Sequence, residues 1–324
     1  MNISALFRAD QAASDPLKPP SVRNPGGGVG VKLKYLKQAI PNISVVNDID
    51  DVGDVVLIEA LWLSSPEFRH EGFQQNLDRI ERHPSFKILW TSDVVPLKWQ
   101  GSERERVFDI VDVVAGNSEY FRDMIAVYTP TVLLTDPVNI DEILIGDKSK
   151  SVFSMSNISL QKGISQLVEI YGKLRNVDFS KEFIGSSSLW GEPIDPVVSN
   201  EIETMLFNAS DKVHQNLSHA DMLSQTSEMF AFTGVTRYES FCYAMVFAML
   251  AGCWCVCGDH PVYNERDSVI SRFGTVNEAV RLIKRVFDEH YPTPNEAARQ
   301  FVIDNYSIDV FKNQFLNIVG GGIF

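Results

Sequence analysis

The sequence predicts an α/β protein of two parallel-sheet domains with a cleft between them, and three observations carry this. Short apolar, β-branched runs alternate with helical segments from one end of the chain to the other, the pattern of strands joined by crossover helices. At 324 residues the chain is long enough for two domains that each bury a core. Near its middle a polar turn, Gly146 to Lys150 (GDKSK), interrupts the alternation, and a strand restarts at Ser151. The expected division is a first domain over 1–147, a second over 148–305 and a closing helical segment over 306–324.

In the first half, Ile3 to Phe7 reads as a strand, followed by a long Pro-rich loop ending in Pro25-Gly26-Gly27-Gly28. From Val29 the apolar spacing Val31, Leu33, Tyr35, Leu36, Ala39, Ile40 is helical, and Pro41 closes it. Glycines opening a helix let a ligand approach the backbone closely, so Gly27 and Gly28 are candidate binding residues. Ile43 to Val46 and Val55 to Ala60 read as strands, with Asp48-Ile49-Asp50-Asp51 between them as a solvated acidic turn rather than a metal site. A helix over Phe73 to Arg82 precedes a strand over Phe86 to Trp90, whose end delivers Asp93 to the edge where open α/β sheets bind ligands. Asp93 can be a catalytic carboxylate or a cap on the next loop. Arg104 to Asp109 (helix), Val111 to Ala115 (strand), Ser118 as a helix N-cap and a strand from Val132 complete the half.

In the second half, a strand over Ser151 to Met155 is followed by Lys162-Gly163 at the head of a helical pattern, and Glu182 to Ile184 forms the next strand. Ser218 to Asp221 reads as a capping box with His219 exposed in the first turn. The stretch from Phe230 to Asp259, FAFTGVTRYESFCYAMVFAMLAGCWCVCGD, then reads as a strand (from Met229 to Phe232), a turn to Arg237, an apolar helix entered near Glu239, a Gly252 stop and a strand over Cys253 to Cys257. A helix opening at a strand end points unpaired N–H groups and the positive end of its dipole above the sheet, which suits a phosphate.

TRYESFCYAMVFAMLAGCWCV resembles the donor-binding segment of retaining glycosyltransferases of the two-Rossmann-domain (GT-B) type, with Glu239, Phe241, Ala248, Met249, Ala251, Gly252 and Val256 on the pattern. SNISLQKGISQL is similar to the motif that opens the second domain of that family: Lys162 and Gly163 match, while Ser156 stands in place of its Arg. VDVVAGNSEYFRDMI and DPVNIDEI resemble first-domain segments, and the last helix, Ile308 to Ile318, resembles the one that returns to the first domain. The resemblance implies that Glu239 lies against the transferred sugar and that the amides of Ser240, Phe241 and Cys242 hold the diphosphate together with Lys162 and Gly163. It implies that Gly27 and Gly28 reach the donor across the cleft and that the strand-end position, a His in many members of that family and Asp93 here, lies near the reacting sugar. Arg237 is a candidate for the positive charge missing at Ser156. The second acidic position, which grips the ribose in the family, is Phe247 here.

The implied activity is transfer of a sugar from a nucleotide-diphosphate donor, UDP- or GDP-linked, with retention, no cofactor and no metal. Two other readings stand beside it: a GT-B-like binding module without catalysis, supported by the departures at Ser156, Phe247 and Asp93, and a phage-type glycosyltransferase acting on modified DNA bases. Against the last, the net charge of −13 and pI near 4.9 repel nucleic acid and anionic membrane. Phe241 to Gly258 is uncharged, but Gly252 interrupts it and acidic residues flank it, so no membrane span is expected. The N-terminus lacks the pattern of a secretory signal, which points to the cytoplasm. Cys253, Cys255 and Cys257 alternate on a strand and read as small core residues, not metal ligands.

Overall fold

The computed structural model describes residues 1–6, 28–46, 48–63, 73–91, 101–158, 162–186, 196–215, 217–236 and 239–322. They form two compact units. One takes the described residues up to Asn139 together with those from Asn305 onward, and the other takes Ile140–Asp304.

The first unit is built on strands β1 (Ile3–Leu6), β2 (Ser44–Val46), β3 (Val55–Glu59), β4 (Phe86–Thr91), β5 (Val113–Gly116) and β6 (Thr131–Leu133). They form a sheet in the order β2-β1-β3-β4-β5-β6, every pair parallel. β3 is buried at all five positions, as a central parallel strand covered on both faces must be, and this explains its unbroken apolar run. One face carries α2 (Ala60–Leu63), α3 (Phe73–Arg82), α4 (Gly101–Asp109) and α5 (Glu119–Ala126), which bury Leu63, Leu77, Ile80, Val107 and Phe121 in one core. Ser118 caps α5 by accepting from the Phe121 amide at 3.2 Å. The Asp48 to Asp51 segment is a single 3-10 turn whose Asp48 and Asp50 carboxylates pair with Arg79 of α3 at 2.5 and 2.7 Å.

On the other face lies α1 (Gly28–Ala39), whose Leu33 and Leu36 pack with Trp90 and with residues from the far end of the chain. Here the core holds a charge that periodicity does not announce. Lys32 is 1% exposed, its ammonium 3.3 Å from Asp136 and 3.4 Å from the centre of the Trp90 ring. Asp136 also accepts from the Asn117 amide at 3.1 Å, and the Trp90 indole donates to the Leu134 carbonyl at 2.8 Å.

The second unit has strands β7 (Ser149–Asn157), β8 (Ser180–Ser186), β9 (Lys212–Gln215), β10 (Met229–Gly234), β11 (Trp254–Gly258) and β12 (Ser271–Phe273), in the order β12-β11-β10-β7-β8-β9 and again all parallel. The chain winds outward from β7 through β8 to β9, then crosses to the other side and continues through β10 to β12. Strand order therefore reverses between β7 and β10, the point where open α/β sheets gather ligands at the carboxyl ends of their strands. α6 (Ile164–Lys173), α7 (Pro196–Ala209) and α10 (Val276–His290) cover one face, and α8 (His219–Glu228) and α9 (Tyr243–Leu250) pack together beyond the other. The chain closes with α11 (Glu296–Tyr306) and α12 (Ile308–Gly322), and Phe311, Phe315 and Val319 of α12 join the Trp90 core. No helix among the described residues is long and apolar enough to cross a membrane.

The ten strands that the alternation places are present, with ends moved by a residue or a few, while β9 and β12 are strands that the sequence reading does not include. The entry to α9 is a correction. The helix starts at Tyr243, not near Glu239, because Cys242 adopts a left-handed conformation (φ +67°) that stops the helix from extending back toward Glu239. Removing the buried cation tests the first core. Lys32→Met leaves Asp136 with only part of its compensation, and the midpoint of urea unfolding should drop by the equivalent of about 3 kcal/mol. A midpoint equal to the wild type would show that the pair contributes nothing net.

Candidate functional site

The site is built at the strand reversal of the second sheet. β7 ends at Asn157, and five residues on, Lys162 stands immediately before Gly163, the cap of α6. Gly163 has φ +67°, and a Cβ placed on it would lie 2.0 Å from the Val235 carbonyl oxygen. Both facts require glycine, the first for its left-handed backbone and the second for its missing side chain. Val235 follows β10 directly, so this contact presses the turn after β7 onto the turn after β10. The consequence is an ion pair, Lys162 Nζ to Glu239 Oε2 at 2.7 Å, with the two side chains 29% and 18% exposed.

From Glu239 the chain descends through Ser240, Phe241 and Cys242, all buried, into the first turn of α9. α9 carries no charged residue and buries everything from Met245 to Leu250. Its carboxyl end is closed by cations, as its dipole favours. Lys148 donates to the Ala251 carbonyl at 2.6 Å and to Ser227 at 2.7 Å, while Arg299 donates to the carbonyls of Leu250 and Ile143. Burial holds the Lys148 ammonium below its usual pKa. Gly252, at φ +75°, then turns the chain into β11.

Beneath the Ser240 to Cys242 segment lies the 3-10 turn Pro261–Arg266. Its Tyr263 hydroxyl donates to Cys242 Sγ at 3.7 Å, and the Arg266 guanidinium stacks 5.4 Å from the centre of the Phe241 ring. Burial pushes the Cys242 thiol up to about 11 and the Cys253 thiol likewise, and Cys255 and Cys257 are raised as well. All four thiols are free and buried, the behaviour of small core residues.

Of the residues singled out in the sequence, Lys162, Gly163, Glu239, Ser240, Phe241 and Cys242 are brought together here. Gly28 opens α1 in the first unit. Gly27, Asp93 and Arg237 lie outside the described residues. Ser156 sits on β7 in register with Gly185 of β8, and no arginine replaces it on that strand. His219 is a correction: it is not an exposed first-turn residue but packs edge-on against Phe247 at 5.7 Å, with Glu142 Oε2 3.5 Å from its Nε2. Ser218 does cap that helix, accepting from the Asp221 amide at 3.1 Å. Tyr263 and Arg266 were missed because nothing in their local spacing marks them; only the contacts of the turn Pro261–Arg266 with Phe241 and Cys242 do.

Phe247, at the position where a ribose-binding carboxylate stands in the resembling family, is 2% exposed and packs against Tyr243 and His219. It is a core residue. Phe247→Glu should therefore destabilise the protein by at least about 3 kcal/mol, the scale of an uncompensated buried charge, read as a fall in melting temperature. A variant as stable as wild type would show a solvated pocket at this position.

No protein-family model matches the sequence, and comparison with curated proteins finds no match. Solved structures do match. Sucrose-phosphate synthase from Thermosynechococcus elongatus aligns with a TM-score of 0.74 at 11% identity, over 99% of each chain. Anabaena HepE (Alr3699), solved in complex with UDP-glucose, aligns at 0.74 and 12%, over 99% of this chain and 100% of that one. A glycosyltransferase from Rickettsia africae aligns at 0.64 and 13%, over 99% and 98%. Likeness at these identities is one of fold, and it extends over the whole length: the chain has the GT-B fold, two Rossmann-like α/β units of the kind found in these glycosyltransferases.

Proposed function

We propose that this protein is a nucleotide-sugar-dependent glycosyltransferase that transfers the sugar of a UDP- or GDP-sugar with retention and without an obligatory metal. The observation that carries the reading is the Lys162–Glu239 pair, 2.7 Å apart at the strand reversal of the second sheet and directly ahead of the α9 amino terminus. Such a place joins a mobile ammonium, backbone N–H groups and a carboxylate within one small volume. The ammonium and the amides match a diphosphate, and the carboxylate matches sugar hydroxyls. The fold neighbour HepE, solved with UDP-glucose, supports the same class of donor.

In the reaction the bond between the anomeric carbon and the β-phosphate oxygen breaks, its electron pair leaving with the diphosphate. The acceptor oxygen forms the new bond on the same face, as retention demands, and its proton passes to the departing β-phosphate oxygen. Charge accumulates on the departing phosphate, so groups that meet it more strongly in the transition state than in the ground state speed the step. Lys162 and the amides of Ser240 to Cys242 take that part, and Glu239 orients the sugar. Lys162 is paired with Glu239 at 2.7 Å, so donor binding exchanges one anionic partner of the lysine for another.

A thermal-shift screen against UDP-, GDP-, ADP- and TDP-sugars, followed by assay of donor hydrolysis, tests the reading, because a ligand bound only by the folded state raises the melting temperature. A protein that neither binds nor hydrolyses any of them is a binding module of the same fold instead. Lys162→Ala should weaken donor binding by about 1 to 3 kcal/mol. Affinity and turnover equal to wild type would remove Lys162 from the site. Glu239→Gln should lower turnover by at least about tenfold while stability changes little. The same change frees Lys162 from its carboxylate, so the affinity for the bare nucleoside diphosphate should hold or rise; a fall in that affinity would mean that Glu239 does not compete for the lysine.

A further inference from the structure

Arg266 is the largest charged side chain withdrawn entirely from water among the described residues, with 0% exposure. Burying a guanidinium is costly unless it is compensated. Glu265 lies beside it, Nη2 to Oε1 at 3.1 Å and 11% exposed, and the Val262 carbonyl accepts from Nη1 at 3.3 Å. The Phe241 ring is a further neighbour, its centre 5.4 Å from the guanidinium carbon. Phe241 is the middle residue of the buried segment that leads from Glu239 into α9, and Cys242 next to it is held from the same 3-10 turn by Tyr263.

Two effects follow from this placement. The stacked guanidinium fixes Phe241, and through it the backbone from Ser240 to Cys242, since a cation over an aromatic face is worth more when both are desolvated. Its charge also lies behind that backbone in a medium of low polarisability, where its field is screened far less than that of a surface arginine. Ser156, the strand position that lacks an arginine, lies on β7, on one side of β10 in the sheet, whereas the turn that carries Arg266 follows β11, on the other side of β10.

We propose that Arg266 is the positioning residue of the donor-phosphate site, setting the Ser240 to Cys242 amides and supplying from below the positive potential that a diphosphate needs. The inference rests on the assignment of those amides to the donor diphosphate. Glu265 opposes the charge and so tunes it.

Titration calorimetry on the full chain with inorganic pyrophosphate, UDP and uridine tests this. Arg266→Met should weaken pyrophosphate and UDP by about tenfold and leave uridine unchanged, because only the charged ligands sense the lost potential. Glu265→Gln keeps the hydrogen-bond acceptor beside Arg266 but removes the opposing charge. It should tighten pyrophosphate and UDP by about threefold with uridine again unchanged, an effect that no purely structural role produces. Should the methionine variant not fold, the glutamine variant decides alone. Unchanged or weaker pyrophosphate binding in Glu265→Gln overturns the inference, as does a loss shared equally by UDP and uridine in Arg266→Met. A wild-type protein that binds neither pyrophosphate nor UDP overturns the diphosphate assignment itself, and this inference with it.

Discussion

The second unit depends on a single backbone contact, Gly163 against the Val235 carbonyl. Two strands that are neighbours in the sheet but far apart in sequence, β7 and β10, each deliver a turn to the same edge. Only a residue without a side chain, in a left-handed conformation, lets the two turns close to the observed distance. With that contact made, Lys162 is carried on one turn and Glu239 on the other, and their pairing follows from geometry rather than from any preference in their local sequence. A glycine chosen for backbone reasons thus determines where two charged side chains meet.

α9 works under a complementary constraint. It is apolar all round because it lies between the sheet and α8, and such a helix has no exposed face on which to place charge. Its ends must then be satisfied from outside. The amino end is left toward the site, and the carboxyl end is sealed by Lys148 and Arg299 from either side of the unit. The negative end of the dipole is thereby neutralised, while its positive end faces the Glu239 to Cys242 segment. The same arrangement explains why an uncharged run from Phe241 to Gly258 belongs to a packed core: Gly252 bends it, and both halves are covered.

Much of the fold was legible because parallel strands buried on both faces write themselves as short apolar runs, and β3, β4 and β10 all do so. Lys162-Gly163 and Glu239 were legible through their resemblance to a known pattern, although identities of 11–13% to the fold neighbours show how little of the remainder is prescribed. Cores tolerate wide substitution if volume and patterning hold. What was not legible depends on tertiary contact. Cys242 gives no sign that it will take a left-handed conformation and delay the start of α9. His219, polar and at a helix start, gave no hint of packing on Phe247. Lys32 and Arg266 occupy positions where a charge reads as surface, and tertiary contacts that spacing does not announce, Lys32 with Asp136 and Trp90 and Arg266 with Phe241, accompany their burial.

The return of α12 to the first unit has a consequence for how the molecule comes into being. Phe311, Phe315 and Val319 complete the core around Trp90, so the first unit lacks part of its interior until α12 has left the ribosome. The described strands of the second unit, β7 to β12, all lie between Ser149 and Phe273 and so precede α12 in the chain. The unit begun first is therefore finished last, and the order of emergence along the chain is the reverse of the order in which the two interiors can be closed.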